Sequence, residues 1–167
     1  MNPIDGNPNV NDNILGTAAD DKIQSFSGND VINGGKGNDL IIGGSGSDVM
    51  TGGLGADTFQ WSAGHITNGA TDYITDFDIR QSDALSFLSS GGGQNVEIVG
   101  VTKGYLSVTD ANGVSLSNNV ATGTDITFTI KNSVTGATQE IVLLDAWSGS
   151  LSGQWDAYLA TLGTHFS

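Results

Sequence analysis

Residues 34–60 repeat one nine-residue pattern three times without an insertion: GGKGNDLII, GGSGSDVMT and GGLGADTFQ. Few features restrict a fold as strongly, because each block must follow nearly the same backbone path and bury its apolar residue against its neighbours. Counting back in nines from Asp39 reaches Asp30 in SFSGNDVIN, Asp21 in GTAADDKIQ and Asp12 in NPNVNDNIL, so the register outlasts the glycines. The eighth position of the six blocks reads Ile14, Ile23, Ile32, Ile41, Met50 and Phe59, in a chain that is 37% hydrophobic. Six apolar residues in a row at that frequency would arise by chance about 3 times in a thousand. A flexible glycine-rich linker would keep neither an Asp nor an apolar residue at fixed offsets.

The period has a physical meaning. A six-residue glycine-rich turn followed by a three-residue strand makes half a coil, so two blocks complete one turn of a right-handed parallel β-roll. Glycine at positions 1, 2 and 4 lets the turn take positive φ and brings backbone carbonyls close together. The Asp at position 6 adds a carboxylate beside them, and such hard oxygens suit calcium, which accepts six to eight ligands at about 2.3–2.6 Å. Consecutive blocks lie on opposite sides of the roll, so ions are expected between block n and block n+2. That arranges Asp21, Asp39 and Asp57 in one column and Asp30 and Asp48 in the other, with Asp12 lowest, in a block without glycine. Carboxylates stacked at the strand spacing of about 4.8 Å repel by roughly 3–4 kcal/mol per pair at an effective dielectric near 20. Without cations the roll should not form.

The chain of 167 residues carries 18 acidic and 5 basic residues, a net charge of -13, and 16 of the acids are Asp. A solvated charged surface usually mixes Glu and Lys on helices, whereas a short carboxylate held beside a turn wants Asp, so the acidity reads as ligand inventory. Nucleic acid is excluded as a partner, because phosphate binding needs clustered Lys and Arg. Cysteine is absent, so no disulfide braces the fold. The N-terminal residues show no basic and apolar leader pattern, and no apolar run is long enough to span a membrane. Export, if it occurs, must use another address, and the chain could be a piece of a longer polypeptide.

Taken in order, residues 1–12 hold both prolines and read as a lead-in. Residues 13–90 are expected to hold the roll and its capping strands: bulky Phe59 and Trp61 close a narrow core, and Ile74, Phe77, Leu85 and Phe87 continue it. Asp72, Asp76, Asp78 and Asp83 stand either as one more oxygen site, with Asp72 and Asp83 the preferred ligands, or as a solvated acidic loop. Gly91, Gly92 and Gly93 form a hinge into a different texture over residues 91–149. Alternating β-branched runs at 96–101, 105–108, 126–130 and 140–144 predict antiparallel strands, with a hairpin turn at 132–138. They are expected as a small sheet packed on the side or end of the roll. Residues 150–167 predict a short helix with Trp155, Leu159 and Leu162 on one face, Ser152 as its cap and Gly163 at its end. This tail is either a packing helix or part of an export signal.

The repeats resemble the RTX (repeats-in-toxin) calcium-binding proteins, and GGLGADTFQW followed by DYITDFD and the spaced DALS is similar to the C-terminal region of type I secretion substrates, especially large Gram-negative surface adhesins. The likeness is strong over residues 16–88. It implies an extracellular or cell-surface location, reached unfolded and C-terminus first through an ABC transporter, a membrane-fusion protein and an outer-membrane channel. Outside, calcium would fold the roll. In this pattern the position-6 aspartates bridge successive ions and the carbonyls of positions 1 to 4 complete each shell. That maps to Asp21, Asp30, Asp39, Asp48 and Asp57 with Gly34, Gly35, Gly37, Gly43, Gly44, Gly46, Gly52, Gly53 and Gly55, plus Gly16 and Gly28 where GTAADD and SFSGND have lost the other glycines. About four ions are expected, within a range of three to six, in a module that is monomeric in isolation.

Catalysis finds little support. His65 and His165 are far apart and outside any HExxH motif, there is no Cys nucleophile, and no G-x-S-x-G elbow occurs. Clustered Asp residues could act as acid and base on glycosides, but each has a better claim as a calcium ligand. The preferred expectation is a calcium-dependent folding and secretion module. Its alternatives are a carbohydrate-binding module with an exposed calcium, or the carrier tail of a secreted hydrolase.

Overall fold

The computed structural model describes residues 1–89, 95–104, 124–147 and 152–163. Two blocks make one coil, as the period requires. β2 (Asn13–Leu15), β4 (Val31–Lys36) and β6 (Val49–Leu54) stack in parallel on one side. On the other side lie β1 (Asn2–Asp5), β3 (Asp21–Gln24), β5 (Leu40–Ile42) and β7 (Thr58–Ser62). Register pairs Ile14 with Ile32 and Met50, and Ile23 with Ile41 and Phe59, so each eighth-position residue lies over the one two blocks earlier. All six are buried, five of them at 0–1% exposure and Ile14 at 8%. The fold is a parallel β-roll whose core is one residue wide on each side.

Beyond residue 60 the roll continues although the nine-residue count stops. β8 (Thr71–Ile74) pairs in parallel with β6, and β9 (Ala84–Leu88) with β7, so Ile74 lies over Met50 and Leu85 over Phe59. Phe59 contacts Phe77 and Trp61 contacts Phe87, at centroid separations of 6.2 and 5.8 Å, which closes this end of the core with aromatic rings.

Two expectations need correction. Asn2–Asp5, read as lead-in, is the first strand of the roll and hydrogen-bonds β3. Its Ile4, paired with Ile23, extends the apolar column downward. The antiparallel strands are not a separate sheet packed on the roll. β10 (Val96–Gly104), β11 (Thr124–Asn132) and β12 (Thr138–Trp147) form an antiparallel meander, but β12 also pairs in parallel with β8, giving a single seven-stranded sheet. The physical reason is the free edge of β8, whose unpaired amides and carbonyls β12 satisfies. The expected hairpin turn lies between β11 and β12, with Gly136 at φ 73°. The Gly91–Gly93 hinge and the strand at 105–108 lie outside the described residues.

The tail forms α1 (Ser152–Thr161), ended by Gly163 at φ 72°. Trp155 and Leu159 are buried, and Leu162 packs against the same core. Trp155 Nε1 donates to the Ala146 carbonyl at 3.0 Å, and the Leu85 amide on the β9 edge donates to Tyr158 Oη at 2.7 Å. α1 is therefore a lid over the aromatic end of the roll.

Candidate calcium ladder

The turns bring the position-6 aspartates into two ladders. On one side the Asp21 amide donates to Asp39 Oδ1 at 2.8 Å, the Asp39 amide to Asp57 Oδ1 at 2.9 Å, and the Asp57 amide to Asp83 Oδ1 at 3.0 Å. On the other, the amides of Asp12, Asp30 and Asp48 donate to Oδ1 of Asp30, Asp48 and Asp72 at 2.8, 2.9 and 2.9 Å. Every expected carboxylate thus lies in the column that the spacing assigned to it, and Asp72 and Asp83 each add a top rung.

The second oxygens separate these aspartates into two groups. Asp21 Oδ1 and the Oδ2 atoms of Asp30, Asp39, Asp48 and Asp57 are buried and have no hydrogen-bond partner. Leaving one buried acceptor unpaired costs about 1–3 kcal/mol, and the four Oδ2 atoms, in register along two columns, call for cations between the rungs; at Asp21 it is Oδ1 that is bare, because Oδ2 takes the Thr17 amide and hydroxyl. Asp12, Asp72 and Asp83 differ. Asp12 takes the amide and Nδ2 of Asn7, Asp72 Oδ2 takes Trp61 Nε1 and Gln139 Nε2, and Asp83 Oδ2 takes the Asp78 amide.

Backbone oxygens surround the unpaired ones. A Cβ added to Gly43 or Gly52 would fall on Oδ2 of Asp48 or Asp57, and one on Gly34 would lie 2.5 Å from Asp39 Oδ2, so position 1 is bare where the carboxylate turns in. Position 2 and 4 glycines of one coil lie over the carbonyls of the coil below: Gly53 over Gly35, Gly55 over Gly37, Gly44 over Phe26, Gly46 over Gly28, Gly35 over Thr17, and Gly28 over Val10. Gly37 lies over Ala19 and Gly16 beneath the Gly34 carbonyl. Gly46 shows why the residue is needed: φ is +125° and a side chain would enter the Gly28 carbonyl. Among the described residues no three acidic or histidine side chains converge tightly enough to hold a metal alone. An ion here must draw most of its ligands from carbonyls, which is how calcium, with its large oxygen shell, is held.

Electrostatics agree for the upper rungs, whereas at Asp21 burial is outweighed by the Thr17 amide and hydroxyl, which hold the carboxyl below its usual value. Burial, followed by the charge of Asp30, pushes the Asp48 carboxyl up to about 7. Burial likewise raises Asp39, Asp57, Asp76 and Asp83, and takes Asp72 to about 8. These carboxylates resist ionisation without a counter-charge, and a divalent cation reverses that logic.

The expected cluster of Asp72, Asp76, Asp78 and Asp83 is not one site. Asp72 ends one column, whereas Asp76 accepts from the amides of Gly52 and Gly53 and Asp83 ends the other column. Asp78 forms a bidentate ion pair with Arg80, at 2.7 Å. The weakened first blocks have substitutes: Thr17 donates its amide and hydroxyl to Asp21 Oδ2, and Ser25 donates its hydroxyl to the Gly43 carbonyl. Phe26 keeps φ 72° at a position 2 that lacks glycine. Sequence reading missed an outer ladder at position 5, where Oδ1 of Asn11, Asp20, Asn29 and Asn38 each accepts an amide 18 residues on. The signal was available, since position 5 is Asn, Asp or Ser in five of the six blocks.

The RTX calcium-binding nonapeptide repeat family, described by four copies, matches residues 9–40 and 25–59. No curated protein matches the chain. Among solved structures, a subunit of the Azotobacter vinelandii mannuronan C5-epimerase, determined in solution, is similar at 25% identity and a TM-score of 0.48, covering 83% of this chain and 75% of that one. Residues 9–59 carry RTX calcium-binding nonapeptide repeats, and four such repeats fit about four ions.

Proposed function

We propose that the RTX segment makes this chain a calcium-dependent folding and type I secretion module of an exported adhesin. The observation that carries the reading is the set of five buried, partnerless carboxylate oxygens on the position-6 aspartates. Asp21, Asp30, Asp39, Asp48 and Asp57 would hold the ions together with the carbonyls of the stacked glycine turns. When bound, calcium supplies positive charge that lets neighbouring carboxylates share a column; the chain supplies the cradle. Where calcium is scarce the ladder is a self-repelling acidic segment, suited to passing an exporter unfolded. Outside the cell, at millimolar calcium, the same segment closes, and closure favours outward movement.

A carbohydrate-binding role through calcium needs an ion with open coordination at the surface. The five repeat aspartates are at most 1% exposed, which favours the folding role. Residues 150–167 can serve as an export address while unfolded, and within them Ser152–Thr161 forms the lid α1 once folded.

Far-UV circular dichroism of the full chain in EGTA, then after return of millimolar calcium, tests the folding half: strand signal should be lost and regained. Secretion from a Gram-negative host carrying a type I exporter tests the other half. Export should stop when residues 150–167 are deleted, and undiminished export of the shortened chain would refute the secretion role.

A further inference from the structure

We propose that Asp72 is a positioning residue and not a calcium ligand: it ends its column of ions and makes the repeat-free strands β10–β12 depend on calcium. The inference rests on the calcium reading above.

Asp72 occupies a true rung, because its Oδ1 accepts the Asp48 amide at 2.9 Å just as Asp48 Oδ1 accepts that of Asp30. The difference lies at Oδ2. In Asp30 and Asp48 this atom is buried and unpartnered, but in Asp72 it receives Trp61 Nε1 and Gln139 Nε2, both at 2.6 Å. Two N–H donors use both lone pairs of that oxygen and present positive hydrogens where a cation would have to stand. All three side chains are buried, with Asp72 at 0%, Gln139 at 1% and Trp61 at 3% exposure, so water has little access to replace a donor.

The two donors come from distant places. Trp61 belongs to β7 on the opposite side of the roll, and Gln139 to β12, the strand that joins the antiparallel meander to β8. Gln139 is held at its other end too, its Oε1 accepting the Thr67 amide at 3.1 Å. The next residue, Glu140, pairs with Thr71, beginning the β12–β8 register. One carboxylate therefore joins the Asp48 rung below, the facing sheet, and the strand on which β11 and β10 are built. An ion that orders the Asp30 and Asp48 rungs fixes the amide to which Asp72 is bonded, and through Gln139 it seats β12. Strands without a repeat then fold in the same transition as the repeats.

The test is backbone hydrogen exchange across a calcium titration of the full chain, comparing Ile32 and Met50 in the roll with Phe128, Ile130, Ile141 and Leu143 in the meander, with bound calcium counted by equilibrium dialysis. In the wild type both groups should gain protection at one calcium midpoint. In Gln139→Leu, meander protection at saturating calcium should fall about tenfold, the consequence of taking one donor from a buried acceptor; roll protection and ion count should stay unchanged. Asp72→Asn, which sets an amide against two donors, should uncouple the groups with no ion lost. A lost ion in Asp72→Asn would overturn the proposal by making Asp72 a ligand. Coincident midpoints with full meander protection in Gln139→Leu, or loss of roll protection in that variant, would also overturn it. If wild-type roll strands gain no protection from calcium, the underlying calcium reading fails; if they do while the meander is indifferent, only the coupling fails.

Discussion

Replacing Asp48 by Asn should have opposite effects with and without calcium. Asp48 is fully buried, and its carboxyl is pushed from 3.8 up to about 7, first by burial and then by the charge of Asp30. A raised carboxyl favours the metal-free fold while protonated, fully below the unfolded value, and the benefit is lost as pH rises through about 7. At 1.36 kcal/mol per pH unit, a rise of about three units means that ionised Asp48 costs the metal-free roll ~4 kcal/mol above neutrality. Asn removes that charge and keeps an oxygen for the Asp30 amide, but buries an unpaired amide nitrogen at about 1–3 kcal/mol. The net expectation at about pH 8 is a metal-free variant ~1–3 kcal/mol more stable than wild type. In saturating calcium the order reverses, because a ligand has been lost. Acid should imitate the substitution: near pH 5 wild type in EGTA should regain strand signal while staying above its pI of about 4.1. The assay is urea unfolding followed by circular dichroism, with sucrose added so that the metal-free chain populates both states. A variant equal to or weaker than wild type in EGTA near pH 8, or stronger in calcium, would refute the reasoning.

Asp39→Ala should weaken calcium-induced folding far more than Asp12→Ala, because Asp39 has a free buried oxygen between two rungs whereas Asn7 already satisfies both oxygens of Asp12; a calcium titration read by circular dichroism compares them. Gly46→Ala should cost more than about 2 kcal/mol, given its φ of +125° and the Gly28 carbonyl in the way, and Gly136→Ala about 1 kcal/mol, since its φ is +73° and nothing lies within 4 Å. Thermal melts in calcium would show the difference. Trp155→Ala should remove ~3–5 kcal/mol by emptying the lid and freeing the Ala146 carbonyl, with a melting temperature that drops even at saturating calcium.

The repeating part of the fold was legible because its physics is local and periodic. Ile23, Ile41 and Phe59 had to lie over one another once the block length was known, and the same count put Asp39 over Asp21. Past residue 60 the pairing offsets change: Met50 pairs with Ile74 and Phe59 with Leu85, so the loops absorb extra residues and position can no longer be counted. The role of Asp72 was beyond reach for the same reason. In sequence it is an acid beside alternating apolar residues, as the repeat aspartates are, and nothing local to it reveals that Gln139, 67 residues away, closes its free oxygen. The antiparallel strands were recognisable from alternation, but alternation says which face is buried and not whose edge is covered, so β12 on β8 came from the structure alone.

The central claim is that cations between alternate blocks neutralise a ladder of acids that could not otherwise stand so close. Its most direct test is anomalous scattering from crystals grown in calcium. About four ions are expected, lying beside the free oxygens of Asp30, Asp39, Asp48 and Asp57. Fewer than about three ions, or a roll that remains intact with those oxygens bare after chelation, would contradict the account.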